Sequence, residues 1–164
     1  DSSVERHRHE AQRGDQCGHQ DRPQAGQGSP VDRLVERYGA RAYGPALFFP
    51  HDVPEVELEA VEPGDELPGG LVALYDGRGR NETPAWLPEQ RALVFADALT
   101  APGGRLQVWA TPWHEERALP ALRALLELPF EHVIVSHGEP VHDRAAYEAA
   151  LELPPYAESP ADGS

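Results

Sequence analysis

Thr83-Pro-Ala-Trp-Leu-Pro-Glu-Gln-Arg-Ala-Leu-Val-Phe-Ala-Asp-Ala-Leu99 is the stretch that decides the fold of this chain. A short first strand closes at Leu87, and the polar segment 88–91, which begins with a proline that fixes φ, predicts a turn. The continuous apolar run 92–96 predicts a strand buried on both faces. The stretch therefore predicts a β-hairpin whose second strand ends on a carboxylate, Asp97.

A second strand end, 40 residues further along the chain, repeats this design. The β-branched run 133–135 leads through Ser136 to His137, and the next residue is Gly138, which allows a close backbone approach or a positive φ. Taken alone, Asp97 is either a structural residue at a strand end or a site residue. Together, an Asp and a His at two strand ends are the ligand types that zinc accepts.

In this order of elements the chain resembles the metallo-β-lactamase superfamily, over roughly residues 56–153. Residues 94–99 look like that family's strand ending in the metal-bridging Asp, and residues 133–138 look like the strand end that carries its last His ligand. Residues 86–91 look like the hairpin before the Asp strand. The resemblance implies an α/β fold, a partial αββα sandwich with a mixed β-sheet flanked by helices, and mainly its second half.

The resemblance also implies zinc, one or two ions in the family, with Asp97 and His137 as ligands. His7 and His9 match only the first half of the family's His-x-His-x-Asp-His loop. The loop before the hairpin has no His, and Glu82 there is either a ligand or simply a solvated glutamate. Because a catalytic zinc needs at least three protein ligands and an open position, the sequence predicts an incomplete metal site, with zinc or no cofactor at all.

Two functions follow from this interpretation. One is a hydrolase-like protein whose ancestral activity is metal-dependent hydrolysis of an ester, a thioester or a similar small-molecule substrate. The alternative is a non-catalytic binding or interaction module that keeps the fold without metal. The chain has no Met, so we expect a fragment, a processed product or an open-ended reading frame, and either upstream sequence is missing or the ancestral site has decayed.

Charge and hydropathy limit the classes of partner that we expect this chain to bind. The formal net charge is -14, and residues 52–66 hold seven acids and no base. This disfavours nucleic acids and anionic membranes, because phosphate binding needs clustered Lys or Arg. No apolar run approaches the ~18 residues of a membrane span, and no signal-like segment stands at residue 1, so we expect no membrane partner and a cytoplasmic location.

The same patterns divide the chain into three parts. Residues 1–30 are polar and predict a disordered or non-native segment, because they cannot bury enough apolar surface to offset the entropy of ordering. The resemblance implies a metallo-β-lactamase-like domain, mainly its second half, over residues 31–156, and we expect residues 157–164 to be a disordered tail. A helix is expected over 29–39, with Val31, Leu34, Val35 and Tyr38 on its buried face.

A truncated sandwich has a consequence for association. If the opposing sheet is missing, an uncovered apolar face of ~400 Å² forgoes on the order of 10 kcal/mol. We therefore expect a marginal or self-associating chain, with the sheet face covered by another copy or by the missing half. The residues expected on that face are Leu71, Val72, Leu74, Trp86, Leu93, Phe95, Val133 and Val135.

Overall fold

The computed structural model describes residues 30–45, 55–77 and 82–157. The segments predicted to be disordered, 1–30 and 157–164, lie outside these ranges except for Pro30 and Ala157. Their disorder therefore stays a prediction.

The first helix, α1, spans Pro30–Tyr38 and has the expected bounds. It ends where the main-chain N–H of Gly39 donates to the carbonyl of Val35 at 2.8 Å. The predicted buried face is wrong, because Leu34 and Tyr38 are 54% and 65% exposed. The buried residue of this helix is polar instead: Asp32 is 4% exposed and accepts from the main-chain N–H of Val56 at 3.0 Å. Among the described residues, nothing covers the predicted apolar face of α1. The hydrogen bond from Val56 to Asp32 links the helix to the following segment instead.

Two short strands follow α1. Strand β1 (Tyr43–Gly44) pairs in parallel with β2 (Glu59–Ala60). The alternation of glutamates with apolar residues over 55–60 predicts a longer strand, but only its last two residues pair.

The decisive stretch lies in a five-stranded mixed sheet. Strands β3 (Glu66–Leu67), β4 (Leu71–Ala73) and β5 (Ala85–Leu87) are successively antiparallel. The predicted hairpin is present: β5 pairs with β6 (Ala92–Phe95) antiparallel, with Trp86 opposite Leu93. Strand β9 (His132–Val135) lies parallel to β6 at the sheet edge, with Phe95 opposite Val135.

The connection from β6 to β9 contains a small second sheet and a helical segment. Strands β7 (Leu99–Thr100) and β8 (Gln107–Val108) pair antiparallel. A π-helical turn, His114–Ala118, then continues into α2 (Leu119–Ala124). The sequence predicts that Pro120 bends or splits this helix, and the change of helix type occurs next to it, as expected for a residue without an N–H. The last helix, α3 (Arg144–Ala150), begins at Asp143, whose side chain accepts from the main-chain N–H of Ala145.

The main hydrophobic core lies between the five-stranded sheet and helices α2 and α3. Leu122, Phe130 and Tyr147 are each at most 1% exposed and pack in one cluster with the sheet. The residues expected on an uncovered face are here too: Trp86, Leu93, Phe95, Val133 and Val135 are all buried. That expectation is therefore wrong for these residues, since the helices cover them. Self-association itself stays a prediction.

The predicted fold class, an α/β fold with a mixed sheet flanked by helices, is confirmed. In the described ranges, no helix has the length and apolarity that crossing a membrane requires.

Candidate binding site at the strand ends

Asp97 and His137 meet just beyond the carboxyl ends of the adjacent strands β6 and β9. Their closest side-chain atoms, Asp97 Oδ1 and His137 Nε2, are 3.2 Å apart. The parallel register explains this, because Phe95 stands opposite Val135 and each site residue follows its strand by two positions. Both side chains are partly exposed, at 43% and 57%.

The backbone fixes the position of His137 from the side of β7. The carbonyl of His137 accepts from the main-chain N–H of Ala101 at 2.8 Å and from the hydroxyl of Thr100 at 3.1 Å. Gly138 then takes a φ of 118°, and a Cβ on it would lie 2.3 Å from the carbonyl oxygen of Ala101. The glycine is thus required by a close backbone approach, as the sequence predicts for this position.

Glu82 contacts the main chain at Asp97, and its environment differs most from the sequence interpretation. It is 5% exposed, so the interpretation as a solvated glutamate is wrong. Its Oε2 accepts from the main-chain N–H groups of Ala96 and Asp97, both at 2.9 Å. Its Oε1 is buried and has no hydrogen-bond partner among the described residues.

Burial raises the pKa of the Glu82 carboxyl from 4.5 to about 7. The N–H groups of Asp97 and Ala96 lower this pKa, because they bind the charged form, and the nearby Asp97 charge raises it. Burial also raises the pKa of Tyr75 well above its ordinary value, and the Glu82 charge adds to that shift. Tyr75 is therefore a neutral phenol at physiological pH.

A cleft of about 90 Å³ opens beside these residues. Among the described residues, three aromatic side chains and Glu82 line it, together with small side chains on the helical segment and the guanidinium of Arg117. Trp109 connects the cleft with the strand ends, since its ring contacts the ring of His137 edge-on at 5.4 Å between centroids. The lining residues are Tyr75, Asp76, Gly77, Glu82, Ala98, Trp109, Thr111, Trp113, Arg117, Ala118 and Ala121.

The donor side chains in the described part of the chain fall short of the three protein ligands that a catalytic zinc site needs. Asp97 and His137 offer two such side chains, and no group of three or more His, Cys, Asp or Glu side chains that could hold an ion occurs in the described part of the chain. Glu82 therefore belongs to no such group, and its Oε2 accepts two main-chain hydrogen bonds. His7 and His9 lie outside the described residues. Zinc binding by any of these five residues stays a prediction.

A pair of histidines, His132 and His142, lies at the end of β9 that is opposite to His137. The Nδ1 atoms of His132 and His142 are 3.1 Å apart. The antiparallel bridge between Val133 and Val141 causes this, because it places the two histidines opposite each other. In neutral rings one Nδ1–H donates to the other Nδ1, so the contact needs no ligand.

Sequence reasoning missed most of the cleft. The apolar run that ends at Tyr75 predicts a strand, and Thr111 with Pro112 predicts a helix start next to Trp113, but neither pattern indicates a site role. Arg117 and Ala121 are four residues apart on the helical segment and line the same cleft. That spacing is the one signal that could have indicated a shared face, but it does not tell what the face meets.

No protein-family model matches this chain, and no curated protein matches it. Among solved structures, the chain is similar to a metallo-beta-lactamase family protein from Thermus thermophilus, with a TM-score of 0.42 and 20% sequence identity. The match covers 60% of this chain, and the chain spans only 34% of that protein's length.

Proposed function

We propose that the described part of this chain is a ligand-binding domain, hydrolase-like in fold, that takes a small molecule into the cleft beside Asp97 and His137. The proposal treats the cleft and the strand ends as one site. It corresponds to a binding module that keeps the fold without needing metal.

The proposal rests on two side chains that line the cleft and also contact the strand ends at Asp97 and His137. Glu82 lines the cleft and also accepts from the main-chain N–H of Asp97. Trp109 lines the cleft and also contacts the ring of His137. Apolar, aromatic walls with a few convergent polar groups are typical of small-molecule sites. The volume of about 90 Å³ suits a single small ring or a short chain rather than a large substrate.

Filling the cleft from the helical segment tests this proposal. Ala121 lines the cleft, whereas Ala124 is exposed on the same helix, α2, and does not line it. We expect a small set of one-ring fragments to change the fluorescence of Trp109 and Trp113 in the unmodified chain and in Ala124→Phe, but not in Ala121→Phe. Circular dichroism checks that both variants fold. If no fragment binds the unmodified chain, or if the two variants behave alike, the proposal is wrong.

A second candidate is metal-dependent hydrolysis of an ester, a thioester or a similar small substrate. The 3.2 Å contact between Asp97 Oδ1 and His137 Nε2 favours it, because side chains at adjacent strand ends are placed as two ligands of one ion are. The remaining ligands must then come from outside the described residues. Elemental analysis of the purified protein tests this candidate: a hydrolase of this type is expected to carry about one or two metal equivalents per chain, and a protein without bound metal speaks against it.

A further inference from the structure

The chemistry of the cleft limits what it can bind, and this step rests on the proposed function. We infer that the ligand presents a primary ammonium group on a small apolar body, with the ammonium donating to Oε1 of Glu82. Three independent features of the cleft support this class of ligand.

The first feature is the unused oxygen of Glu82. The residue is only 5% exposed, and its Oε2 is fully engaged by two main-chain N–H groups at 2.9 Å. Oε1 is buried in the same cleft-lining side chain and has no partner among the described residues. A buried acceptor of this kind is stabilised by a ligand that brings an N–H donor, and a charged donor forms the stronger bond.

The second feature is the aromatic wall. Tyr75, Trp109 and Trp113 all line the cleft. Indole and phenol faces attract cations, and Trp does so most strongly. Trp109 is also held in place, because the ring of Tyr156 contacts it edge-on at 5.4 Å, as the ring of His137 does. A rigid aromatic wall around a carboxylate is a surface that recognises an organic cation better than a neutral molecule of the same shape.

The third feature is the charge balance. Among the described residues, the charged side chains that line the cleft are those of Asp76, Glu82 and Arg117. Asp76 and Arg117 are both exposed, so solvent screens both of their charges, whereas Glu82 is buried. The chain as a whole carries a formal net charge of -14, which draws small cations towards it and repels anions.

Four one-ring probes separate these contributions on the full chain at about pH 8, where Glu82 is charged because the pKa of its carboxyl is about 7. Benzylammonium has both charge and N–H donors, benzyl alcohol has a neutral donor, benzyltrimethylammonium has charge without a donor, and benzoate is an anion. Titration followed by tryptophan fluorescence should give the lowest Kd for benzylammonium. We expect benzyl alcohol to bind about tenfold more weakly, the factor typical of a charge-assisted hydrogen bond, and benzoate not to bind measurably.

Two variants that each lose one negative charge test whether Glu82 is the residue that binds the ammonium group. Glu82→Gln removes the buried carboxylate, whereas Glu116→Gln removes an exposed one that does not line the cleft. Benzylammonium should bind Glu82→Gln about as weakly as benzyl alcohol does, and should bind Glu116→Gln as it binds the unmodified chain. Should Glu82→Gln not fold, Trp113→Leu is the second variant, and it should weaken benzylammonium more than benzyl alcohol.

The outcomes separate this inference from the proposed function. Equal Kd values for benzylammonium and benzyl alcohol overturn the ammonium inference, and so do equal losses in Glu82→Gln and Glu116→Gln or a failure of all four probes to bind. Fragment binding that Ala121→Phe abolishes would still support a binding cleft in each of these cases. Benzyltrimethylammonium as tight as benzylammonium would overturn the assigned hydrogen bond to Oε1.

Discussion

Helices α1 and α2 both have apolar residues at helical spacing, yet their surroundings are opposite. In α2, Leu119 and Leu122 are 5% and 0% exposed and pack in the main core. In α1, Leu34 is 54% exposed. The difference teaches that an amphipathic pattern predicts where a helix forms, whereas its burial depends on whether another element offers a matching surface.

Helix α1 and the end of the five-stranded sheet differ in how a buried carboxylate is used. In α1, Asp32 accepts from the main-chain N–H of Val56 and so joins two segments distant in sequence. At the sheet end, Glu82 accepts two main-chain hydrogen bonds but keeps one oxygen without a partner in the described ranges. The first arrangement links a helix to a distant segment, and the second leaves one buried oxygen of a cleft-lining side chain without a partner in the described ranges.

Replacing a leucine by alanine should change the free energy of unfolding very differently in α2 and in α1. Leu122→Ala removes a fully buried side chain and should lower the free energy of unfolding by about 2–5 kcal/mol. Leu34→Ala should change it by no more than about 0.5 kcal/mol, because the side chain is exposed. Urea denaturation followed by circular dichroism measures both. A large loss in Leu34→Ala would show that α1 packs on residues outside the described ranges.

The buried carboxyl of Glu82 should make stability depend on pH. Its pKa is raised from 4.5 to about 7, so between these values the folded chain holds a proton that the unfolded chain has released. The free energy of unfolding should therefore fall as pH rises from about 4.5 to about 7, by about 3 kcal/mol from this group.

Glu82→Gln should lack this component, while Glu116→Gln, at an exposed position, should keep it. The measurement is urea denaturation at a series of pH values, and the quantity compared is the difference between each variant and the unmodified chain. Parallel curves for Glu82→Gln and the unmodified chain would contradict the raised pKa.

Gly138→Ala should destabilise the strand end that presents His137. The residue has a φ of 118°, and the added Cβ would meet the backbone of Ala101 at 2.3 Å. We expect a loss of about 2 kcal/mol or more from strain and repacking. Gly103→Ala is the matched control, because its φ is also positive but nothing lies within 4 Å, and it should lose only about 1 kcal/mol. Thermal unfolding compares the two, and equal losses would mean that the close approach does not matter.

Asp32→Ala should give the smallest and most local effect. It removes the acceptor for the main-chain N–H of Val56, at a cost of about 1 kcal/mol. Amide hydrogen exchange should speed up at Val56 and leave strands β6 and β9 unchanged. Asp32→Asn keeps a side-chain oxygen and should behave more like the unmodified chain. Faster exchange throughout the sheet would show instead that α1 is part of the main cooperative unit.

Much of the sheet could be predicted from the sequence. The hairpin β5–β6, the strand ends at Asp97 and His137, the bounds of α1 and the break at Pro120 all follow from patterns a few residues long. Continuous apolar runs, turn residues and a proline within a helix act through the local backbone. The buried state of Glu82 could not be predicted in this way, because it depends on main-chain groups 14 and 15 residues away.

The sequence by itself determined the order of strands and helices and the residue types at the two strand ends. Only the tertiary structure decided that Asp97 and His137 come within 3.2 Å, that Glu82 accepts from the main-chain N–H of Asp97, and that Tyr75, Trp109 and Trp113 line a cleft there. The physical reason is the distance along the chain over which each kind of interaction acts. Backbone preferences and apolar periodicity are properties of neighbouring residues, whereas burial, pKa shifts and cleft shape arise when segments far apart in sequence pack together.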